Sequence, residues 1–408
     1  MAKLTIDKMN LKGKRVLIRV DFNVPLDDAC QITDDTRIRA ALPTIQAAIK
    51  AGGKVVLMSH LGRPKGGPDP KQSLAPAAVR LGELLGRKVA LAPDCIGAET
   101  AAAVAKVKEG EVILLENLRF HKGEEKSDPE FIKQLAALGD VYVNDAFGTS
   151  HRTHSSMYGV PALLPKGSRG IGFLVKKELD FLGDSLAKPQ RPFVAILGGA
   201  KVSDKIGVIK NLASQVDVLL IGGAMSYTFM RAKGQSTGKS KVEEFVEKKD
   251  GSKTDVIALA KSLLETVAKS KAEFVLPVDH LCVKEFDESQ PTAVQGPAIQ
   301  EGFLGVDIGP KTIELYKKKI AGAKTIVWNG PMGVFEKAPW AAGTKAVCQA
   351  MADLKGKATT IIGGGDSAAA VAAFEMEDKM SHISTGGGAS LEFLEGKPFE
   401  CLTVIDEA

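Results

Sequence analysis

Four apolar runs in the second half of the chain end in glycines. Phe193–Leu197 leads into Gly198-Gly199, Val218–Ile221 into Gly222-Gly223, Thr360–Ile362 into Gly363-Gly364-Gly365, and Ile383 toward Gly386-Gly387-Gly388. A β-run that stops at residues without side chains lets backbone N–H groups close on an anion, and a helix starting behind it adds unpaired donors and partial positive charge. Phosphate is the guest this pattern suits. Lys201 and Lys205 follow the first junction, and Asp366 and Ser367 follow the third.

The first half offers different chemistry. Its β-runs lead into Asp21-Phe22-Asn23, into His60-Leu61-Gly62-Arg63, into Arg119, and into Asn144-Asp145 followed by His151-Arg152. Ligands of open α/β sheets bind outside the carboxyl ends of the strands, so these segments are expected to converge on one crevice. Arg37, at the start of a helix, can join them. Ten of the twelve arginines precede residue 175; residues 1–174 hold 25 Lys+Arg against 19 Asp+Glu, whereas residues 175–408 hold 29 against 30. The planar guanidinium fork matches phosphate and carboxylate, so the first half reads as a holder of a small anionic molecule. Nucleic acid is disfavoured, because the arginines are scattered over loops and aromatics make up only 5% of residues.

Read singly, each residue also has a structural use. Asp21 and Asn23 fit turn caps, and His60 fits a satisfied loop histidine. Arg63 and Arg119 fit surface arginines paired with Asp69 or Glu124. Lys205 fits a solvated lysine in a first helical turn if the helix begins near Ser203, and Asp366 fits a helix N-cap. Trp328 reads as core packing rather than a stacking platform. The four strand-end loops taken together, and the glycine junctions taken together, carry the functional reading.

The elements that must position these residues alternate between β-rich and amphipathic helical runs, the mark of parallel sheets covered by helices. Strands are expected at Arg15–Val20, Lys54–Met58, Glu111–Leu115 and Val141–Asn144, then at Phe193–Leu197, Asp217–Ile221, Glu273–Leu276, Thr325–Trp328, Thr359–Ile362 and His382–Ser384. Helices are expected at Thr36–Ala51, Leu74–Leu85 and Pro129–Leu138. The 408 residues exceed what one core usually serves, so two α/β domains are expected. Their joint falls between Leu174 and Arg191, where Lys176–Gly183 reads as a charged helix and Lys188–Pro192 as its stiff exit.

Nothing near Met1 resembles a signal peptide and no apolar run reaches the length of a membrane span, so a cytosolic protein without membrane contact is expected. The five cysteines are far apart with no Cys-x-x-Cys pair, which favours reduced thiols acting as small buried hydrophobes. Gly234–Ser240 imitates a Walker A loop but has three residues between its glycines where four are needed; it reads as a surface loop. Glu243–Asp255 reads as a solvated charged stretch. No Gly-x-Gly-x-x-Gly follows the first strand, which disfavours a nicotinamide enzyme.

Taken in order, Arg19–Pro25, Ser59–Pro64, Glu116–Phe120, Asn144–Gly148 with His151-Arg152, Leu197–Lys205, Trp328–Glu336, Gly363–Asp366 and Ser384–Gly388 resemble the phosphoglycerate kinase family over essentially the whole chain. The resemblance implies two Rossmann-like parallel-sheet domains joined by a helical hinge. A phosphoglycerate-binding domain spans 1–174, with a tail at about 402–408 returning to it; the hinge helix and linker span 175–191, and a nucleotide-binding domain spans 192–401. It implies reversible phosphoryl transfer between 1,3-bisphosphoglycerate and ADP, giving 3-phosphoglycerate and ATP, after the domains close. Asp21, Phe22 (through its backbone), Asn23, Arg37, His60, Leu61, Gly62, Arg63, Arg119 and Arg152 would hold the triose. Gly222, Gly223 and Gly305 would line the adenosine slot, Glu336 would take the ribose and Asn329 would lie by the phosphates. Lys201, Lys205, Gly364, Gly365, Asp366 and Ser367 would hold the phosphate chain, with magnesium on Asp366. Arg37, Lys201, Lys205, Gly364 and Gly387 would act on the transferring group. The family is usually monomeric. Two departures stand out: Ser367 replaces the usual threonine and keeps the hydroxyl, and Phe303 stands where many members have tryptophan.

Overall fold

The computed structural model describes residues 2–65, 67–247 and 250–408. These form two compact units: Met1–Asp180 together with Pro398–Ala408, and Phe181–Lys397.

The first unit contains β1 (Arg15–Val20), β2 (Lys54–Met58), β3 (Ala90–Leu91), β4 (Val112–Leu114), β5 (Val141–Asp145) and β6 (Arg169–Ile171), in the spatial order β3-β4-β2-β1-β5-β6. Every pairing is parallel. The central strands are buried on both faces, which is why they read as nearly unbroken apolar runs. The helix Thr36–Lys50 shows the complementary period, placing Ile38, Ala41, Ile45 and Ala48 against the same core as Val16, Ile18 and Val20. The strand order reverses at β1, flanked by β2 and β5, so the crevice beyond its carboxyl end receives loops from both sides.

The second unit contains β7 (Phe193–Leu197), β8 (Val218–Ile221), β9 (Phe245–Glu247), β10 (Lys253–Asp255), β11 (Glu273–Val275), β12 (His280–Val283), β13 (Ala293–Gln295), β14 (Leu304–Ile308), β15 (Thr325–Asn329), β16 (Thr359–Gly363) and β17 (His382–Ile383). Its main sheet is again parallel, ordered β11-β8-β7-β15-β16-β17. Its reversal lies between β7 and β15, where Gly198 N–H donates to Asn329 O at 3.0 Å and Gly199 N–H to Pro331 O at 3.0 Å.

Several expectations need correction. Glu243–Asp255 is not merely solvated: β9 and β10 pair antiparallel within it. β12, β13 and β14 form a separate antiparallel sheet that the apolar pattern does not announce. The Walker-like segment is only partly a surface loop, since Thr237 and Ser240 are buried and Lys239 N–H donates to Phe303 O at 2.7 Å. The helix expected at Lys176–Gly183 is present and longer, but not uniform: Phe173–Glu178 is α-helical, Leu179–Asp184 is wound more loosely in a π-helical turn, and Ser185–Ala187 resumes the α form. Of the cysteines, Cys95, Cys282, Cys348 and Cys401 are buried while Cys30 is half-buried. Trp328 is fully buried, its Nε1 donating to Gly330 O at 2.8 Å.

Candidate active site

In the first unit the loop after β1 is held by its neighbours. Ser59 Oγ accepts the Phe22 N–H at 2.8 Å, and Asn23 Oδ1 accepts the Gly62 N–H at 2.8 Å. Asp21 Oδ2 pairs with Arg37 at 2.9 Å. Asn117 fixes the loop after β2, with Oδ1 accepting from Leu61 N–H at 3.2 Å and Nδ2 donating to Leu61 O at 2.8 Å. Arg119 donates to Gly62 O at 2.8 Å and pairs with Glu125 at 3.2 Å, not with Glu124. Asp21, Asn23, Arg37, His60, Leu61, Gly62 and Arg119 are thus brought into one connected set.

His60 reports the field of that set. It is 4% exposed, and its pKa lies well below the ordinary histidine value, first because it is buried and then because Arg19, Arg119, Arg37 and Arg152 all press on it. Arg19 donates to His60 Nδ1 at 3.1 Å. A guanidinium can only donate, so Nδ1 accepts and the neutral ring carries its proton on Nε2. Asp21 Oδ1 stands 3.9 Å from the same nitrogen, too far to compete. Arg152 joins through this field and through its Nε, 3.2 Å from His151 Nε2. Arg63 follows Gly62 directly but is exposed.

Arg19 is the residue sequence reading overlooks in this set. It is 1% exposed inside β1, donates to Ser156 Oγ at 2.9 Å, and Ser156 in turn donates to the fully buried Glu124 at 2.6 Å. Burial, foremost, raises the Glu124 pKa, against the pull of Arg19. An arginine alternating into the core face of a strand was the available signal.

In the second unit two cavities of about 360 Å³ each adjoin through shared walls at Gly199, Ala200 and Asp366. One is polar: Lys201, Lys205, Asn329, Gly364, Gly365, Asp366, Ser367 and Gly387 all line it. The helices Gly365–Ala373 and Gly388–Leu394 begin on its wall, and neither has a side-chain N-cap, so backbone N–H groups face the space. Gly364 occupies φ 88°, and a Cβ there would sit 2.9 Å from Asn329 Nδ2. The other cavity is mainly apolar, lined by Gly223, Tyr227, Gly305, Val306, Met332 and Val334, with Lys241 and the exposed Glu336 adding charge.

Three assignments change here. Gly222 lines neither cavity; its missing side chain makes room for Met332, whose Cε would lie 2.9 Å from a Cβ. Asp366 is not the N-cap, a place taken by Gly364, but lies in the first turn with its carboxylate exposed. Lys205 is not solvated: it is 9% exposed, donates to Asn329 Oδ1, and burial lowers its pKa to about 8 against the pull of Asp204, Asp366 and Glu395. Ser367 Oγ accepts the Gly330 N–H at 2.6 Å, so its hydroxyl oxygen ties two strand-end loops together. Tyr227, Met332 and Val334 had no periodic signal to reveal them as cavity walls.

A cluster of arginine-bearing loops in one unit and a glycine-lined groove with lysine, amide and carboxylate groups in the other suit two anionic ligands, one of them carrying an apolar ring. A family model described as "Phosphoglycerate kinase" matches residues 6–397. The chain is similar to a phosphoglycerate kinase of Anaeromyxobacter sp. (strain Fw109-5), 54% identical over 409 residues with 100% of each chain covered. It is also similar to a cytosolic phosphoglycerate kinase of Triticum aestivum, 52% identical over 406 residues, covering 99% of this chain and 98% of the relative. Among solved structures, phosphoglycerate kinase from Coxiella burnetii aligns with a TM-score of 0.87 at 40% identity over 98% of both chains. The enzyme from Pyrococcus horikoshii OT3 aligns at 0.82 and 32% identity, again over 98% of both. With the site geometry and these matches in agreement, the chain belongs to the phosphoglycerate kinase family.

Proposed function

We propose that the two residue clusters divide one reaction between them. Family membership makes the chain a glycolytic phosphotransferase with a carboxyl group as acceptor, passing a phosphoryl group between 1,3-bisphosphoglycerate and ADP to give 3-phosphoglycerate and ATP. The first unit holds the triose: Arg37, Arg63, Arg119 and Arg152 bind its phosphate and carboxylate, His60 donates from Nε2, and Asp21 and Asn23 take the hydroxyl. Phe22, Leu61 and Gly62 shape the loops. The second unit holds the nucleotide, its base in the apolar cavity and its phosphates in the polar one, with Glu336 at the ribose.

The acceptor carboxylate is ionised at neutral pH, so the transfer needs no general base. Alignment and positive charge around a loose, metaphosphate-like transition state supply the rate. Lys205, Lys201, Arg37 and the N–H groups behind Gly364 and Gly387 are the charges and dipoles available for it. Asp366 presents one exposed carboxylate beside a phosphate-sized cavity, which fits Mg²⁺, a cation usually held by one or two carboxylates plus substrate phosphates. When bound, magnesium neutralises phosphate charge. Asp366 would hold it while Lys205 and Asn329 orient the phosphate oxygens.

The units must bring their ligands together, so we assign residues 175–191 a hinge role and expect closure once both substrates bind. A cytoplasmic monomer accords with this reading, and among the described residues no helix is long and apolar enough to cross a membrane. The observation that carries the assignment is the polar cavity uniting Lys201, Lys205, Asn329, Gly364 and Asp366. The test is 3-phosphoglycerate-dependent ATP consumption in a coupled assay, beside Lys205→Ala and Arg37→Ala. Turnover that ignores 3-phosphoglycerate, or survives both substitutions undiminished, overturns it.

A further inference from the structure

One cluster of chemically capable side chains in the first unit takes no part in this reaction. β3 and β4 are parallel neighbours with Leu91 beside Leu114, and Ala92 N–H donates to Leu114 O at 2.8 Å. The chain beyond each strand therefore emerges at the same sheet edge, bringing Asp94 and Cys95 from one side against His121 from the other. His121 Nε2 lies 2.8 and 3.0 Å from the two Asp94 oxygens, and the donor atoms of Asp94, Cys95 and His121 all lie within 4.8 Å of one another.

Further contacts brace the cluster. Cys95 N–H donates to Asp94 Oδ1 at 2.6 Å, Thr100 Oγ1 donates to Asp94 O at 3.0 Å, and the His121 ring packs on Phe131 with centroids 5.6 Å apart. Cys95 is fully buried, whereas the Asp94 and His121 side chains are 42% and 33% exposed, so the cluster is closed beneath and open above. Thiolate, imidazole and carboxylate together match the ligand preference of zinc, while magnesium and calcium favour oxygen alone.

We propose that Asp94, Cys95 and His121 form a zinc-type transition-metal site with its fourth position open to water. Without metal the thiol stays protonated, because burial and then the charges of Asp94 and Glu124 push it well above the ordinary cysteine value. A divalent cation reverses that field. As the sulfur–metal bond forms the S–H bond breaks, and the proton passes to buffer. The plainer alternative is an Asp–His ion pair resting over an inert thiol.

Cobalt(II) distinguishes the two on the full-length protein in magnesium-free buffer. The site predicts that a single equivalent of Co²⁺ gives an intense near-ultraviolet thiolate-to-cobalt band and visible bands of tetrahedral strength, both removed by Zn²⁺. Cys95→Ser abolishes the near-ultraviolet band, Cys30→Ser leaves it, and His121→Ala weakens Zn²⁺ binding on the order of tenfold or more. His121 is partly exposed, so its variant keeps the fold, checked by circular dichroism, even if the buried Cys95→Ser does not. The absence of the band, its survival in His121→Ala at full Zn²⁺ affinity, or its loss in Cys30→Ser overturns the proposal.

Discussion

The ammonium of Lys205 donates to Oδ1 of Asn329, while Nδ2 of the same asparagine is buried without a hydrogen-bond partner. An orphaned buried donor costs roughly 1–3 kcal/mol, and this one sits beside Gly364 on the wall of the polar cavity. A phosphate oxygen there would satisfy it. Asn329→Ala is expected to weaken nucleotide binding about tenfold, the worth of one charge-assisted bond. Titration calorimetry measures this directly, and unchanged affinity would remove Asn329 from the site.

Lys205→Ala should lower kcat on the order of 10²–10³, by analogy with the loss of a single transition-state donor. Because burial holds the Lys205 pKa at about 8, the free enzyme loses this charge as pH rises through that value. The profile of kcat/KM for nucleotide should therefore fall on its alkaline side near pH 8. Lys205→Arg should abolish that limb whatever its effect on rate, and a limb that persists in the arginine variant would assign the titration elsewhere.

Arg119 donates to Gly62 O, and its pKa is lowered first by burial and then by Arg152 and Arg19, against the pull of Glu125. Arg119→Ala should raise KM for 3-phosphoglycerate roughly tenfold to a hundredfold, the range of a lost hydrogen bond to a charged group. Nucleotide affinity should not move. Steady-state kinetics varying each substrate in turn separates the two effects.

Asp145, fully buried at the end of β5, accepts the Leu174 N–H at 3.0 Å, and burial raises its pKa from 3.8 to about 7. The native state thus binds a proton between these values that the unfolded chain releases. Its stabilising effect is complete below about pH 4 and is lost as pH rises through about 7. Asp145→Asn keeps the acceptor and cannot ionise, so urea unfolding at pH 5 and pH 8 should differ less in the variant, by on the order of 2–4 kcal/mol.

Solution scattering should record a smaller radius of gyration when 3-phosphoglycerate and Mg-ATP are present together than with either alone. An unchanged radius would count against the hinge assigned to residues 175–191.

What the sequence made legible followed from how deeply each element is buried. β7 could be read because Phe193–Leu197 is buried on both faces and stops at glycines; β1 and β2 share the burial, though they end in polar loops instead. β14 was not: Leu304-Gly305-Val306-Asp307-Ile308 mixes a glycine and a buried aspartate into a strand whose packing includes Trp340, far away in sequence. The arginine loops declared their chemistry through residue type alone. Lys205 did not declare its burial, and Arg19 did not declare its hold on His60, because both depend on partners more than forty residues distant.

Residues Pro398–Ala408 belong with the first unit, where Asp406 pairs with Arg169 at 2.6 Å, Leu4 N–H donates to Asp406 O at 2.8 Å and Ala408 N–H to Ala2 O at 2.8 Å. The whole second unit is therefore an insertion within the first. On a translating ribosome all six strands of the β1-centred sheet emerge first, but the contacts made by Asp406 and Ala408 must wait while some two hundred intervening residues are made and released. The module begun earliest is the last to be sealed.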